Sequence, residues 1–313
     1  MHFIPRRFGF LLVSTLVLLP AHLRSQQEHR PVRDAALQRL LQKETKDFHG
    51  VAGVYVYNLK TGQSAGINAD TLFPTASMIK VSILCALFDR IERGEFKYDQ
   101  QMLYRDSLKI DNGIAGSFRD STKITLAEIV MLMISVSDNT AARWCQQLAG
   151  TGTAINDWLE RNGFHQTRVN SHTPGRETEY AQYGWGQTTP KEMVRLFTLI
   201  RMGRAVSPDA SEEMYRVLSK PFWDDKAVAQ IPPNIHVSSK NGSVDDAKSE
   251  TVFVNAPSGD YVFCVATKNQ ADQRWVQENE GYVLIRSISR ALWKHFEPRS
   301  TWTPPAGYQK WTK

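Results

Sequence analysis

The sequence predicts an α/β fold of the sandwich type, in which both ends of the chain form one antiparallel sheet with flanking helices and the middle forms an all-helical lobe. Strand-like segments, rich in β-branched and aromatic residues, lie near both ends of the 313-residue chain. Helical patterns fill the middle, over residues 74–217. The composition, with 42% hydrophobic and 22% charged residues, is that of a globular protein and excludes a disordered or collagen-like chain.

The first residues have the pattern of an export signal. Arg6 and Arg7 precede an apolar run over residues 8–21, and this run of about 14 residues is shorter than the roughly 20 that a membrane span needs. We therefore expect residues 1–25 to be a signal peptide and the mature protein to be periplasmic or extracellular. An uncleaved anchor stays open as the alternative, because no clean small-x-small cleavage pair follows the run.

The formal net charge of +6 does not indicate a nucleic-acid partner. Several of the basic residues lie in the segment that we expect to be removed, so the mature chain is closer to neutral. Three widely spaced cysteines allow at most one disulfide, and the core must therefore hold the fold.

The amino-terminal part of the α/β lobe is expected over residues 26–73. Residues 33–48 carry apolar side chains at the spacing of an amphipathic helix. Residues 51–57, VAGVYVY, are typical of a strand, and the turn residues that follow predict a hairpin.

The helical lobe is expected over residues 74–217. Apolar periodicity, the glycine at position 94 and the proline at position 190 mark its helices. They are expected at residues 76–93, 126–136, 140–150 and 191–202.

Residues 218–313 are expected to complete the α/β lobe. Two strands, at residues 251–255 and 261–268, flank a turn, and a helix over residues 281–296 closes the chain. Since pockets favour domain junctions, we expect the active site between the two lobes.

Ser77 and Lys80 form the first candidate catalytic pair. They stand three residues apart at a helix start, so their side chains share one face. A hydroxyl is a poor nucleophile unless a base takes its proton, and a desolvated lysine can do this. The alternative is an ordinary helix start with a surface serine and lysine, which this motif alone does not exclude.

Ser137, Asp138 and Asn139 follow at the junction of two helical stretches. Residues two apart point in different directions on a helix, so Ser137 and Asn139 converge only if this segment is a loop or a helix cap. The alternative is simple helix capping, for which these residue types are preferred.

Lys240, Asn241, Gly242 and Ser243 precede a predicted strand. On a strand, Lys240 offers a fixed positive charge for a substrate carboxylate, and Gly242 lets a ligand approach the backbone closely. The alternative is a hairpin turn, which Asn-Gly often forms.

In this order, the three motifs resemble the S-x-x-K, S-D-N and K-T-G signatures of class A β-lactamases and penicillin-binding proteins. The resemblance covers nearly the whole mature chain, including the sequences FPTASMIKVSIL and LAEIVMLMISVSDNTAA. It implies a β-lactamase/transpeptidase-like fold.

The resemblance also implies roles for individual residues. Ser77 is the nucleophile, Lys80 helps to deprotonate it, and Ser137 passes a proton to the leaving nitrogen. Asn139 positions the substrate amide.

On the binding side, the resemblance implies that Lys240 and Ser243 hold the substrate carboxylate. The backbone N–H groups of Ser77 and Ser243 form the oxyanion hole. The chain departs from the family at Asn241, where a Thr or Ser usually stands, and Lys248 is the candidate for a second positive charge.

Glu177 is the candidate base for the water that releases the acyl group. In hydrolysing class A enzymes the inter-lobe loop carries E-x-E-L-N, and the corresponding stretch here begins at Glu177 but has Ala181 in place of the Asn. The alternative is a solvated acidic loop.

The leading function is therefore a β-lactamase-type serine hydrolase that forms an acyl-enzyme on Ser77 and hydrolyses it. Two alternatives share the motifs: a cell-wall peptidase or esterase, and a β-lactam-binding sensor that acylates without efficient release. We expect a monomer that acts on a small β-lactam or a cell-wall peptide, with no nucleic-acid partner and no cofactor. A metal site is not expected either, because the eight histidines show no H-x-H or H-E-x-x-H spacing.

Overall fold

The computed structural model describes residues 30–111 and 113–304, so the signal peptide expected over residues 1–25 lies outside the described residues. The helices in the described chain are α1 (Ala35–Thr45), α2 (Lys80–Glu92), α3 (Leu126–Ile134), α4 (Asn139–Leu148), α5 (Thr151–Arg161), α6 (Glu177–Tyr183), α7 (Pro190–Arg201), α8 (Pro208–Leu218) and α9 (Glu280–Phe296). The strands are β1 (Val32–Arg33), β2 (Val51–Asn58), β3 (Gln63–Ile67), β4 (Phe73–Pro74), β5 (Gln101–Leu103), β6 (Lys123–Thr125), β7 (Arg168–Val169), β8 (Gly186–Thr188), β9 (Val237–Val244), β10 (Ala247–Val254) and β11 (Tyr261–Lys268).

The main sheet has the order β1-β3-β2-β11-β10-β9, and its strands come from both ends of the chain. Neighbouring strands are antiparallel except β1 and β3, which are parallel. In the centre, β2 pairs with β11, with Val51 opposite Lys268 and Asn58 opposite Tyr261. The predicted antiparallel sheet built from the two chain ends is confirmed.

Each face of this sheet is covered by helices. Alternate residues of β11 point to opposite faces, as the twofold period of a strand requires. Phe263 packs with α1 and α9 in one core cluster, whereas Val262 and Cys264 join the cluster that contains α2, α3 and α7. The helices of the middle segment therefore cover the second face. The division into two lobes, with residues 26–73 and 218–313 in one and residues 74–217 in the other, stays a prediction.

The helices begin where polar side chains can satisfy free backbone N–H groups. Thr125 and Glu128 form a reciprocal capping box at the start of α3, and Thr189 caps α7 with a proline in its first turn. Helices α5, α6 and α8 were not predicted from the sequence, and α6 lies in the segment that was expected to be a loop. Ser207 caps α8 and is followed by Pro208, which is a start signal that the sequence does contain.

The fold is held without disulfides in the described residues. Cys85, Cys145 and Cys264 are buried free thiols. The helices in the described chain are all too short or too polar to span a bilayer.

Candidate active site

Ser77 lies in a 3-10 turn, Ala76–Ile79, that leads directly into α2. Side chains three residues apart eclipse one another in such a turn, which aligns Ser77 with Lys80. Ala76 has a φ of +45°, in the left-handed region that a non-glycine residue occupies at a cost. The backbone before Ser77 is therefore held in a strained form by its surroundings.

Gly242 is part of what holds this turn. A Cβ atom on Gly242 would lie 2.2 Å from the carbonyl oxygen of Thr75 and 2.9 Å from the backbone nitrogen of Ser77. Strand β9 thus runs against the start of the helix at a distance that a side chain would prevent. Gly242 is paired with Ser249 within a regular ladder, so the alternative of a hairpin turn at Asn241-Gly242 is wrong.

Lys80 is fully buried and hydrogen-bonded, which excludes a surface lysine. Its Nζ donates to the backbone oxygen of Ser137 at 2.5 Å and to Asn139 Oδ1 at 2.9 Å, and it lies 3.1 Å from Ser137 Oγ. Burial lowers the pKa of Lys80 to about 7, against the opposing attraction of the Asp138 and Asp111 carboxylates. A lysine with this pKa is partly neutral at physiological pH and can accept a proton.

Ser137 is placed by an unusual backbone conformation between α3 and α4, with a φ of +62°. Asp138, the next residue, caps α4 by accepting from the backbone N–H of Ala141 at 2.8 Å. Asp138 is therefore a helix cap, as the alternative expected. Ser137 and Asn139 nevertheless both contact Lys80. Asp111 accepts from Asn139 Nδ2 at 2.8 Å and fixes which amide atom faces the lysine.

Lys240 approaches the same hydroxyl from the sheet. Its Nζ donates to Ser137 Oγ at 3.0 Å and to the backbone oxygen of Asn241 at 2.8 Å. Burial, followed by repulsion from Lys80, holds the pKa of Lys240 well below its ordinary value, while Glu250 acts in the opposite direction. Ser77, Lys80, Ser137, Asn139 and Lys240 thus gather at the junction of α2, α4 and β9.

Two cavities open beside Ser77. The larger, of about 700 Å³, is lined by residues that include Ser137, Lys226, Gly242 and Tyr282. The smaller, of about 490 Å³, is lined by Asn139, residues 180–185 and part of the β9–β10 turn. Ser77 and Ser243 line both cavities, so a substrate at Ser77 can extend in two directions.

The second positive charge beside the site belongs to Lys226, and the expectation that Lys248 supplies it is wrong. Lys248 is buried in β10, where its Nζ donates to the backbone oxygens of Val244 and, at 3.1 Å, Asp245. Lys226 is 6% exposed and lines the larger cavity. Its position was not visible in the sequence, because no motif surrounds it.

Glu177 is not brought to this cluster. It is exposed at the start of α6, its carboxylate accepts from the backbone N–H of Gly175 at 3.1 Å, and it lines neither cavity. The same loop instead presents Trp185, whose ring centre lies 5.6 Å from Lys80 Nζ. Sequence reasoning also missed Trp185.

This fold, with a serine and a buried lysine at a helix start facing a glycine-bearing edge strand, defines a penicillin-recognising serine enzyme of the β-lactamase type. The chain belongs to the Beta-lactamase enzyme family, whose model matches residues 33–296.

Individual relatives are distant. Beta-lactamase VEB-1 of Pseudomonas aeruginosa is 21% identical over 78% of this chain and 85% of its own. A beta-lactamase of Streptomyces fradiae is 25% identical over 73% of this chain and 76% of its own. Among solved structures, that of PBP-A superimposes with a TM-score of 0.77 at 24% identity, covering 87% of this chain and all of PBP-A. At this identity the structural likeness supports the fold.

Proposed function

We propose that the protein opens β-lactams by forming an acyl-enzyme on Ser77. The observation that carries this proposal is the buried Lys80, whose pKa of about 7 leaves a neutral amine one turn from Ser77. In the proposed step, Ser77 Oγ attacks the lactam carbonyl while its proton passes to Lys80 Nζ. The backbone N–H groups of Ser77 and Ser243 bind the oxygen that becomes negative.

Breaking the C–N bond needs a proton on the leaving nitrogen. Ser137 Oγ gives its proton to this nitrogen and is reprotonated by Lys80, so the amine ends the step neutral. Asn139 binds the amide on the acyl side. Lys240, Lys226 and Ser243 supply the positive and hydrogen-bonding groups for the substrate carboxylate.

Release of the acyl group by water completes the proposed hydrolysis. Glu177 lies outside both cavities, so it is poorly placed to activate this water. Lys80, neutral again after the first step, is the base that remains beside the acyl carbonyl. A second candidate function, in which the acyl-enzyme persists as in a β-lactam sensor or a cell-wall peptidase, is favoured by the same position of Glu177.

Intact-mass time courses with a penicillin, run beside turnover of a chromogenic cephalosporin, test the proposal. We expect a penicillin adduct on the wild type and none on Ser77→Ala. The matched control is Ser82→Ala, which removes a buried hydroxyl from the adjoining helix α2, outside both cavities.

The fate of the adduct separates the two candidates. An adduct that forms and then disappears with product release supports the hydrolase, whereas an adduct that persists supports the sensor or peptidase. An undiminished adduct on Ser77→Ala would remove Ser77 from the mechanism.

A further inference from the structure

The two cavities receive different parts of the substrate if the proposed function holds. Ser137, the proton donor to the leaving nitrogen, lines the larger cavity and not the smaller. Asn139, which binds the acyl-side amide, lines the smaller cavity and not the larger. The larger space, of about 700 Å³, therefore lies on the leaving-group side, and it is of the size that holds a drug-sized ligand.

Two exposed tryptophans stand at this larger cavity. Trp223 is 37% exposed and Trp275 is 61% exposed, although such large apolar rings are usually more buried. Both indoles are anchored: Trp223 Nε1 donates to the backbone oxygen of Val136 at 2.9 Å, and Trp275 Nε1 donates to Asp245 Oδ1 at 2.7 Å. Rings that are exposed yet fixed form a preorganised surface.

Neighbouring residues fix these rings further. Asn241 Nδ2 donates to the backbone oxygen of Trp223 at 3.3 Å and so links β9 to the aromatic wall that Trp223 and Trp275 form. Asn241 is the residue at which the third motif departs from its family pattern. The ammonium of Lys248 lies 4.6 Å from the ring centre of Trp275, at a distance typical of a cation–π contact. Lys248, which does not reach the candidate active site, thus helps to hold the ring of Trp275 in place.

Among the described residues that line the larger cavity, Lys226 is the one that carries a side-chain ammonium group. Lys226 Nζ pairs with Asp225 Oδ1 at 2.6 Å, while the other carboxylate oxygen of Asp225 accepts from Gln277 Nε2 at 2.8 Å. An ammonium has three donors, so Lys226 keeps donors for an anion, whereas both oxygens of Asp225 are engaged. The remaining donors of Lys226 can therefore bind an anion, against the acidic side chains of Asp225 and Glu278 that also line this cavity.

We propose that this enzyme selects substrates by their leaving-group side, where an aromatic or apolar arm packs on Trp223 and Trp275 in the cavity that Lys226 also lines. The inference rests on the proposed function, which assigns the larger cavity to the leaving group. It adds a specificity that the family motifs do not contain, because the two tryptophans lie outside all three motifs.

A matched pair of cephalosporins tests this assignment. Both carry the same acylamino group, and they differ at C3, where one bears a methyl group and the other an aromatic substituent. The measured quantity is the ratio of their second-order rate constants for acylation of Ser77. Differences in intrinsic reactivity cancel when this ratio is compared between wild type and variant.

We expect Trp275→Ala and Trp223→Ala each to lower the preference for the aromatic compound by about tenfold. Trp275→Phe retains a ring and should keep most of the preference. The matched control is Tyr180→Ala, which removes an exposed ring from the smaller cavity and should leave the C3 ratio unchanged.

An unchanged C3 ratio in both tryptophan variants would overturn the inference while leaving acylation of Ser77 intact. An equal loss for both compounds would also overturn it, because that result indicates general damage. Failure of both compounds to acylate the wild type would instead remove the proposed function and this inference with it.

Discussion

Lys80 and Lys240 share one hydroxyl group: their Nζ atoms lie 3.1 and 3.0 Å from Oγ of Ser137. A hydroxyl has two acceptor lone pairs and one proton, so two lysine donors would leave the Ser137 proton free to point at a substrate. Burial lowers both lysine pKa values, and Lys80 lowers that of Lys240 further. The arrangement favours one neutral amine beside one ammonium.

The acylation rate should rise with pH through about 7 and then level off. Lys80 accepts a proton when it is neutral, and its pKa of about 7 sets the midpoint of this rise. Stopped-flow acylation between pH 5 and 9 measures it. Lys80→Ala should slow acylation by at least about a hundredfold and lose the pH dependence. Lys191→Ala, which removes an exposed lysine paired with Asp70, should leave the profile unchanged.

Ser137→Ala should also slow acylation by about a hundredfold, because the leaving nitrogen loses its proton donor. Ser135→Ala is the control, since Ser135 is a buried serine nearby whose hydroxyl has no hydrogen-bond partner among the described residues. Acylation rates of the two variants with one penicillin decide the point. Equal rates would remove Ser137 from the proton path.

Glu177→Ala should leave the lifetime of the penicillin adduct within about twofold of the wild type, because its carboxylate accepts from Gly175 and lies outside both cavities. Glu179→Ala, in the same short helix, is the matched control. Intact-mass decay of the preformed adduct gives both lifetimes. A markedly longer lifetime in Glu177→Ala alone would restore Glu177 as the base.

Glu250→Gln should change how stability depends on pH. Glu250 is fully buried, its Oε2 accepts from the backbone N–H of Ala227 at 2.9 Å, and burial raises its pKa to about 7. Lys226 and Ser239 lower this pKa in part, whereas Asp225 raises it.

A raised carboxyl pKa favours the folded state at low pH, and that stability is lost as pH rises from about 4.5 to about 7. The loss is on the order of 3 kcal/mol for a shift of this size. Urea unfolding at pH 4.5 and 8 should show this decline in the wild type and a smaller one in Glu250→Gln. Parallel pH curves for the two proteins would contradict the prediction.

Gly242→Ala should lower the melting temperature and abolish acylation. The added Cβ would meet the Thr75 carbonyl oxygen at 2.2 Å, and overpacking of this kind costs about 1–3 kcal/mol. Ser243→Ala, which adds no atoms to the same strand, should melt near the wild type. Scanning calorimetry and penicillin labelling report the two effects, and an active, stable Gly242→Ala would show that β9 can move away.

The sequence predicted those parts of the site that local geometry determines. The three-residue spacing of Ser77 and Lys80 aligns them whatever the rest of the fold does. Strand β11 was also predicted to the residue, since its boundaries are marked by a turn and by β-branched side chains. The local sequence pattern was enough to predict both the Ser77–Lys80 pair and the bounds of β11.

The choice between Lys226 and Lys248 could not be made from the sequence. It depends on the register of β9 with β10, which places Lys248 opposite Ser243 and its ammonium against the backbone of the turn that joins the two strands. The position of Glu177 could not be predicted for a related reason: its motif-like context does not determine which way a short surface helix turns its side chains. Both positions depend on tertiary packing, which produces no periodic pattern in the sequence.

The central pairing of β2 with β11 joins Val51 to Lys268, near opposite ends of the chain. A nascent polypeptide therefore cannot close its sheet until β11 has left the ribosome, and the loop-closure entropy of that long separation must be overcome late. Until then the β2–β3 hairpin presents an unpaired backbone edge and buried-type residues such as Val54 and Val56 to solvent. We therefore expect aggregation to compete with folding until β11 is available, and the folded yield to respond to chaperone supply and temperature.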